Sequence, residues 1–226
     1  MTRYIQRHSR MTRIVHNINL FCCMWLAISG LFVFVPALGN LVGADVVQIL
    51  RVSHRVIGVI FIINPIVAMI ASSKGFKHFV AKYTKKWDAD DKTWMKKFIP
   101  YMFTAKTTHM PDQDEVKSGQ VVADGALMVL GFLMGMSGLF MWLGTSVWQF
   151  PAGAIDVLRL LHDVGYILLI VFVIAHIFLG LGIFQPYRRT ARLMFRDGKV
   201  SESDALYHWG KWARKELEEK KNISEE

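Results

Sequence analysis

Cysteine is nearly absent from this chain. Its 226 residues include two, Cys22 and Cys23, adjacent inside an apolar stretch. No C-x-x-C spacing exists, so neither an iron–sulfur cluster nor a structural zinc finds its ligands here. The two thiols read as ordinary buried residues. Acidic residues are scarce too, 18 against 27 Lys and Arg, and residues 1–13 hold four arginines and no acid. The net charge of +9 invites a nucleic-acid reading. Its uneven placement argues instead for a membrane, and no nucleic-acid partner is expected. Low-complexity segments are missing, and no internal repeat is apparent.

Apolar residues are abundant and unevenly spread. They make up 53% of the chain and gather in four blocks, about 14–38, 52–72, 121–143 and 158–184. A membrane-spanning helix needs about 20 mostly apolar residues, and each block meets that length. The first is too long for the apolar region of a signal peptide, and three more follow. The expected fold is all-α: a four-helix transmembrane bundle over 14–184, with a polar N-terminus over 1–13 and a polar tail over 185–226.

Lys and Arg set the orientation. The connection 73–120 holds ten lysines against six acids, and the tail holds ten Lys and Arg. The two other connections, 39–51 and 144–157, contain only Arg51. Both termini and the middle connection are therefore expected in the cytoplasm of a bacterial inner membrane. In the middle connection aromatics and lysines alternate, FKHFVAKYTKKW and then KTWMKKFIPYMF. This spacing predicts two short amphipathic helices on the inner membrane surface. The end of the tail, KWARKELEEKKNISEE, reads as a solvated helix or frayed end.

Eight histidines are present. His8, His78, His109 and His208 fall in polar segments and are expected to be solvated. His16, His54, His162 and His176 lie in or at the ends of the apolar blocks, where an ionisable side chain is costly and points to function. Fourteen residues at ~100° each bring His176 to within about 40° of the direction of His162, some 21 Å farther along the axis. One imidazole thus lies near each side of the hydrocarbon layer. The orientation makes His54 and His162 outer, His16 and His176 inner. Two imidazoles at one depth, twice in one bundle, suit the two axial positions of a haem iron, and with both positions filled the chemistry is electron transfer. Zinc suits the set less well, lacking acid and thiol ligands; a proton relay through histidines stays open. Gly30, Gly58, Gly131, Gly135, Gly138 and Gly165 would admit a macrocycle or close helix packing. Arg51, Arg55 and Arg159 would meet haem propionates or reach the interface.

From RIVHNINLFCCMWLAISGLFVF through RVSHRVIGVIFI, KSGQ and LLHDVGYILLIVFVIAHI to RDGKVSESDALYHWGKWARKE, the chain resembles the cytochrome b (gamma) subunit of membrane-bound formate dehydrogenases. Cytochrome b subunits of nickel–iron hydrogenases share that design and are the alternative within the class. A haem-free anchor or proton-conducting bundle is the alternative outside it. The resemblance implies four haem ligands at His16, His54, His162 and His176 and two haem b groups. It also implies an iron–sulfur subunit and a molybdenum or tungsten formate dehydrogenase subunit as partners, in a higher oligomer of the heterotrimer. Electrons would pass inward to menaquinone. The family's quinone segment falls on Lys117, Gly119 and Gln120; Lys117 stands where Asn is common in relatives, which unsettles that hydrogen bond. Asp124, the one acid of the third block, is expected to help deliver protons to reduced quinone.

Overall fold

The computed structural model describes residues 2–104, 107–182, 187 and 190–225. Four long apolar helices dominate: α1 (Arg10–Phe34), α3 (Ala44–Ala71), α6 (Ser118–Ser146) and α7 (Ala152–Gly180). Each is long and apolar enough to cross a membrane, with mean hydropathy from 1.8 to 2.3 over its best window. At most 11% of any such window is buried within the chain. Large apolar side chains such as Ile70, Phe132 and Val171 point outward at 79%, 70% and 61% exposure. A water-soluble chain does not show so continuous an apolar surface; a hydrocarbon solvent satisfies it.

Proline and glycine set the helix ends. Val35 is extended ahead of Pro36, so α1 stops at Phe34, short of the expected 38. Pro36 then opens a short helix, α2 (Pro36–Val42), where its missing N–H costs nothing. Gly43, at φ 85°, closes that helix in a conformation other residues rarely adopt. The expected end of the fourth block, 183–184, lies outside the described residues, as do 105–106 and the basic pair Arg188 and Arg189.

The chain divides into two compact units. One comprises Val15–Ala71 and Leu127–Ile174; the other comprises Met1–Ile14, Ser72–Ala126 and Ala175–Glu226. The first is purely helical. Asn64 Nδ2 donates to Asn19 Oδ1 (2.8 Å) and to the Val15 carbonyl (3.0 Å), tying α3 to α1 with polar bonds inside an apolar layer.

The second unit carries the conventional core, and here a small sheet joins a fold that is mostly helical as expected. Strand β1 (Arg3–Gln6) lies between β2 (Lys199–Ser201) and β3 (Ile223–Glu225), antiparallel to both, with Ile5 opposite Val200 and Ile223. Short helices α8 (Arg192–Phe195), α9 (Glu202–His208) and α10 (Gly210–Glu218) complete it. Ile5, Leu193, Val200, Ala205, Trp209, Trp212 and Ala213 form one buried cluster. The tail is thus folded, not frayed, because its tryptophans and alanines share one side of α9 and α10. The middle connection forms α4 (Ser73–Tyr83) and α5 (Ala89–Thr104). Asp88 and Asp91 cap α5 reciprocally, each accepting the other's backbone N–H at 2.9–3.0 Å.

Candidate functional site

His54 on α3 and His162 on α7 face one another with ring centroids 6.4 Å apart. A metal bonded to both rings at ~2.0 Å, with each ring centre ~1.2 Å behind its nitrogen, would set the centroids about 6.4 Å apart. The ring separation therefore equals that of two imidazoles sharing one metal ion through Nε2, and the ring planes cross at 66°.

The surroundings of the two rings match. Ser29 Oγ lies 2.9 Å from His54 Nδ1, and Ser137 Oγ lies 2.9 Å from His162 Nδ1. Each serine donates its single proton to the carbonyl four residues back, Trp25 at 2.7 Å and Leu133 at 2.6 Å. The imidazole must then be the donor at Nδ1, which leaves the Nε2 lone pair for a metal. Both serines are buried, at 1% and 3% exposure. The glycine after each serine touches the same ring. A Cβ on Gly30 would lie 3.3 Å from His54 Cε1, and one on Gly138 would lie 3.1 Å from His162 Cε1.

This symmetry has a counterpart in a short repeated motif. Ser29-Gly30-Leu31-Phe32 and Ser137-Gly138-Leu139-Phe140 are the same tetrapeptide, each with a histidine 25 residues after its serine. The signal is short and its copies lie far apart, but it would have found both serines. The other glycines divide differently. Gly131 packs on Phe61, Gly135 on Ile62 and Gly165 on Met134 and Leu133, which is helix packing. Arg55 reaches over the Trp142 ring at 5.9 Å and Arg159 pairs with Asp156 at 3.5 Å.

His16 lies on α1, its Nδ1 3.4 Å from Asn17 Oδ1. In the other unit, His176 Nδ1 stands 3.5 Å from Asp124 Oδ1, and Tyr83 donates to Asp124 Oδ2 at 2.8 Å. Burial, and then the neighbouring Asp124, push the Tyr83 phenol well up, so it stays a proton donor. Tyr83 was read from sequence only as part of an amphipathic stripe; nothing in that pattern shows its bond to Asp124.

Around the start of α6, Gly119 has a packing reason: a Cβ there would collide with the Trp94 ring. Gln120 Oε1 accepts from the Lys117 N–H at 3.3 Å and from Trp209 Nε1 at 3.5 Å. Its NH2 end is then the one available for donation. Lys117 is 4% exposed, and its ammonium lies 2.9 Å from His208 Nδ1 and 4.4 Å from the Tyr187 ring centre. Burial, reinforced by Arg7, holds that ammonium well below its usual range. His208 is itself buried at 6%, so the expectation that it is solvated is overturned: the folded tail encloses it. Arg7 stacks its guanidinium 3.8 Å over Trp209 and donates to the Glu115 carbonyl. Burial lowers it to about 10. Glu115 accepts from Lys82 at 2.8 Å and pairs with His78 at 3.0 Å. His78, 65% exposed at its side chain, thus has a partner though it is solvated as expected.

The formate dehydrogenase cytochrome b556(fdo) subunit of Escherichia coli, in strain K12 and in O157:H7, is 25% identical to this chain. The alignment covers 221 residues, 93% of this chain and 92% of the relative. The family described as prokaryotic cytochrome b561 matches residues 7–197. That match runs through all four apolar helices and takes in the histidines that face each other across a metal-sized gap. The chain belongs to the prokaryotic cytochrome b561 family, integral membrane proteins that carry haem b.

Proposed function

We propose that this chain is the dihaem membrane subunit of a formate dehydrogenase-type complex. In this reading it accepts electrons from an iron–sulfur subunit on the outer side and delivers them to menaquinone on the cytoplasmic side. The observation that carries the proposal is the facing pair His54 and His162, 6.4 Å apart and each oriented by a buried serine. The similarity to the cytochrome b556(fdo) subunit over nearly the full length supports the choice of complex.

His54 and His162 would hold the outer haem, and His16 and His176 the inner one. Bound there, haem b supplies reversible one-electron transfer, and each charge moved across the membrane is worth ~2.3 kcal/mol per 100 mV. The chain's own part is to fix ligand depth and ring orientation. At the outer pair the serines do so; at His176 the Asp124 carboxylate, held by Tyr83, has the matching place. Quinone would sit at the start of α6. There the Gln120 NH2 and the Gly119 backbone N–H are the donors for a quinone carbonyl. Lys117 contributes from behind, its ammonium turned toward His208. Asp124, beside both His176 and Tyr83, is the side chain assigned to proton delivery.

The test is a reduced-minus-oxidised optical spectrum with haem quantitation on the purified full-length chain. Two b-type haems per chain are expected; a preparation with no Soret band ends the reading. Subunits retained after mild detergent extraction decide the complex. A molybdenum or tungsten formate dehydrogenase supports it, and a nickel–iron hydrogenase replaces it. Replacing Asp124 with Asn should slow quinone reduction, and an unchanged rate removes Asp124 from the scheme.

A further inference from the structure

The geometry points to Ser29 and Ser137 as a matched pair of positioning residues, each orienting one histidine of the facing pair. This rests on the reading of His54 and His162 as the residues that would hold one haem. Each serine hydroxyl is used twice. It gives its proton to a backbone carbonyl of its own helix and accepts the Nδ1–H of the histidine on the next helix. The carbonyl acceptor is fixed in the helix ladder and holds the hydroxyl proton, which leaves the oxygen lone pairs to accept from the imidazole. The tautomer and the rotation of each ring are thereby set before any metal arrives, with Nε2 as the coordinating atom.

Three features separate this from incidental helix packing. The bonds have equal length, 2.9 Å, on both rings. The serines are almost fully buried, so water does not compete for the hydroxyls. Gly30 and Gly138 remove the Cβ that would otherwise press on each ring, so the ring can lie close to the helix that carries its serine. The pairing α1 to α3 is repeated as α6 to α7, which makes the outer ligand pair the product of one helix-pair device used twice.

The experiment uses the full chain purified with its haems. Single and double Ser→Ala changes at 29 and 137 are compared with wild type in two readouts. One is the low-spin ferric resonance of each haem. The other is the ratio of oxidised to reduced haem at a fixed applied potential. Both S29A and S137A are expected to alter the same one of the two haems, shifting its ratio at least about threefold, with the double variant shifting it further. The second haem stays as it was. The Ser→Thr pair retains the hydroxyl and is expected to restore wild-type values.

If the alanine double variant does not assemble, the Ser→Cys pair, similar in volume but a weaker hydrogen-bonding partner, is measured in its place with the same expectation. Unchanged resonances and ratios in a chain that carries two haems overturn this inference alone, as does a finding that the two serines affect different haems. A threonine pair that shifts as far as alanine also overturns it, since the hydroxyl is then irrelevant. A wild-type chain without haem overturns the functional reading beneath it.

Discussion

At the scale of single residues, the facing of His54 and His162 was legible because an imidazole in an apolar helix needs a reason and charge placement put both at one end of their helices. Replacing His162 with Ala is expected to lower the haem content by about half, with His54 left unable to hold the outer group alone; pyridine haemochrome quantitation checks it. The serines were legible only through the repeated Ser-Gly-Leu-Phe, since Ser in an apolar helix commonly bonds its own backbone and nothing in composition shows which ones also reach a neighbour. His208 was misjudged for the converse reason. Its polar segment placed it in solvent, while Tyr187, Trp209 and the folded tail enclose it, and Lys117 beside it is buried too. A buried ammonium whose protonation is disfavoured by the fold carries a cost that is full below its lowered pKa and fades as pH rises toward ~10.4. Lys117→Met is therefore expected to stabilise the chain by about 1–3 kcal/mol near neutral pH. The advantage over wild type should narrow as pH is raised, as read from melting temperatures in detergent.

At the scale of elements, the long helices were the easiest to read and their ends the hardest. Periodicity is blind to Val35 turning extended before Pro36, or to a helix that begins several polar residues ahead of its apolar run. The amphipathic helices of the middle connection followed from aromatic spacing, but the cap that starts α5 was not foreseen. Asp88 both caps that helix and accepts from Lys211 of α10 at 2.8 Å. The Lys211 hydrogen bond comes first among the causes that lower this carboxyl from 3.8 to about 2. Its contribution is thus present above its unfolded value and lost as pH falls toward 2. Asp88→Ala should cost ~0.5–2 kcal/mol at neutral pH, and the difference from wild type should shrink in acid, as thermal melts at several pH values can show. Gly119→Ala is expected to destabilise by ~1–3 kcal/mol because the buried Trp94 ring, stacked 5.0 Å from Phe98, has to move. Asp88→Ala is predicted to leave haem spectra unchanged.

For the molecule as a whole, the charge asymmetry predicts an orientation with both termini inside. Alkaline phosphatase fused within the connection after α6 should be active, while a fluorescent protein fused at the C-terminus should fold and fluoresce in the cytoplasm; the reverse pattern would invert the assignment of outer and inner histidines. What composition did not reveal was that the two ends of the chain meet. Sheet formation between residues so far apart has no local pattern, and three- or four-residue strands are too short to alternate visibly. That sheet has its own consequence for biosynthesis. The strand in its middle, β1, is made well before both of its neighbours, which begin only at Lys199 and Ile223. Arg3–Gln6 must therefore wait for its sheet partners until all four apolar helices have left the ribosome, and this stitch of the fold is sewn long after its first thread is laid.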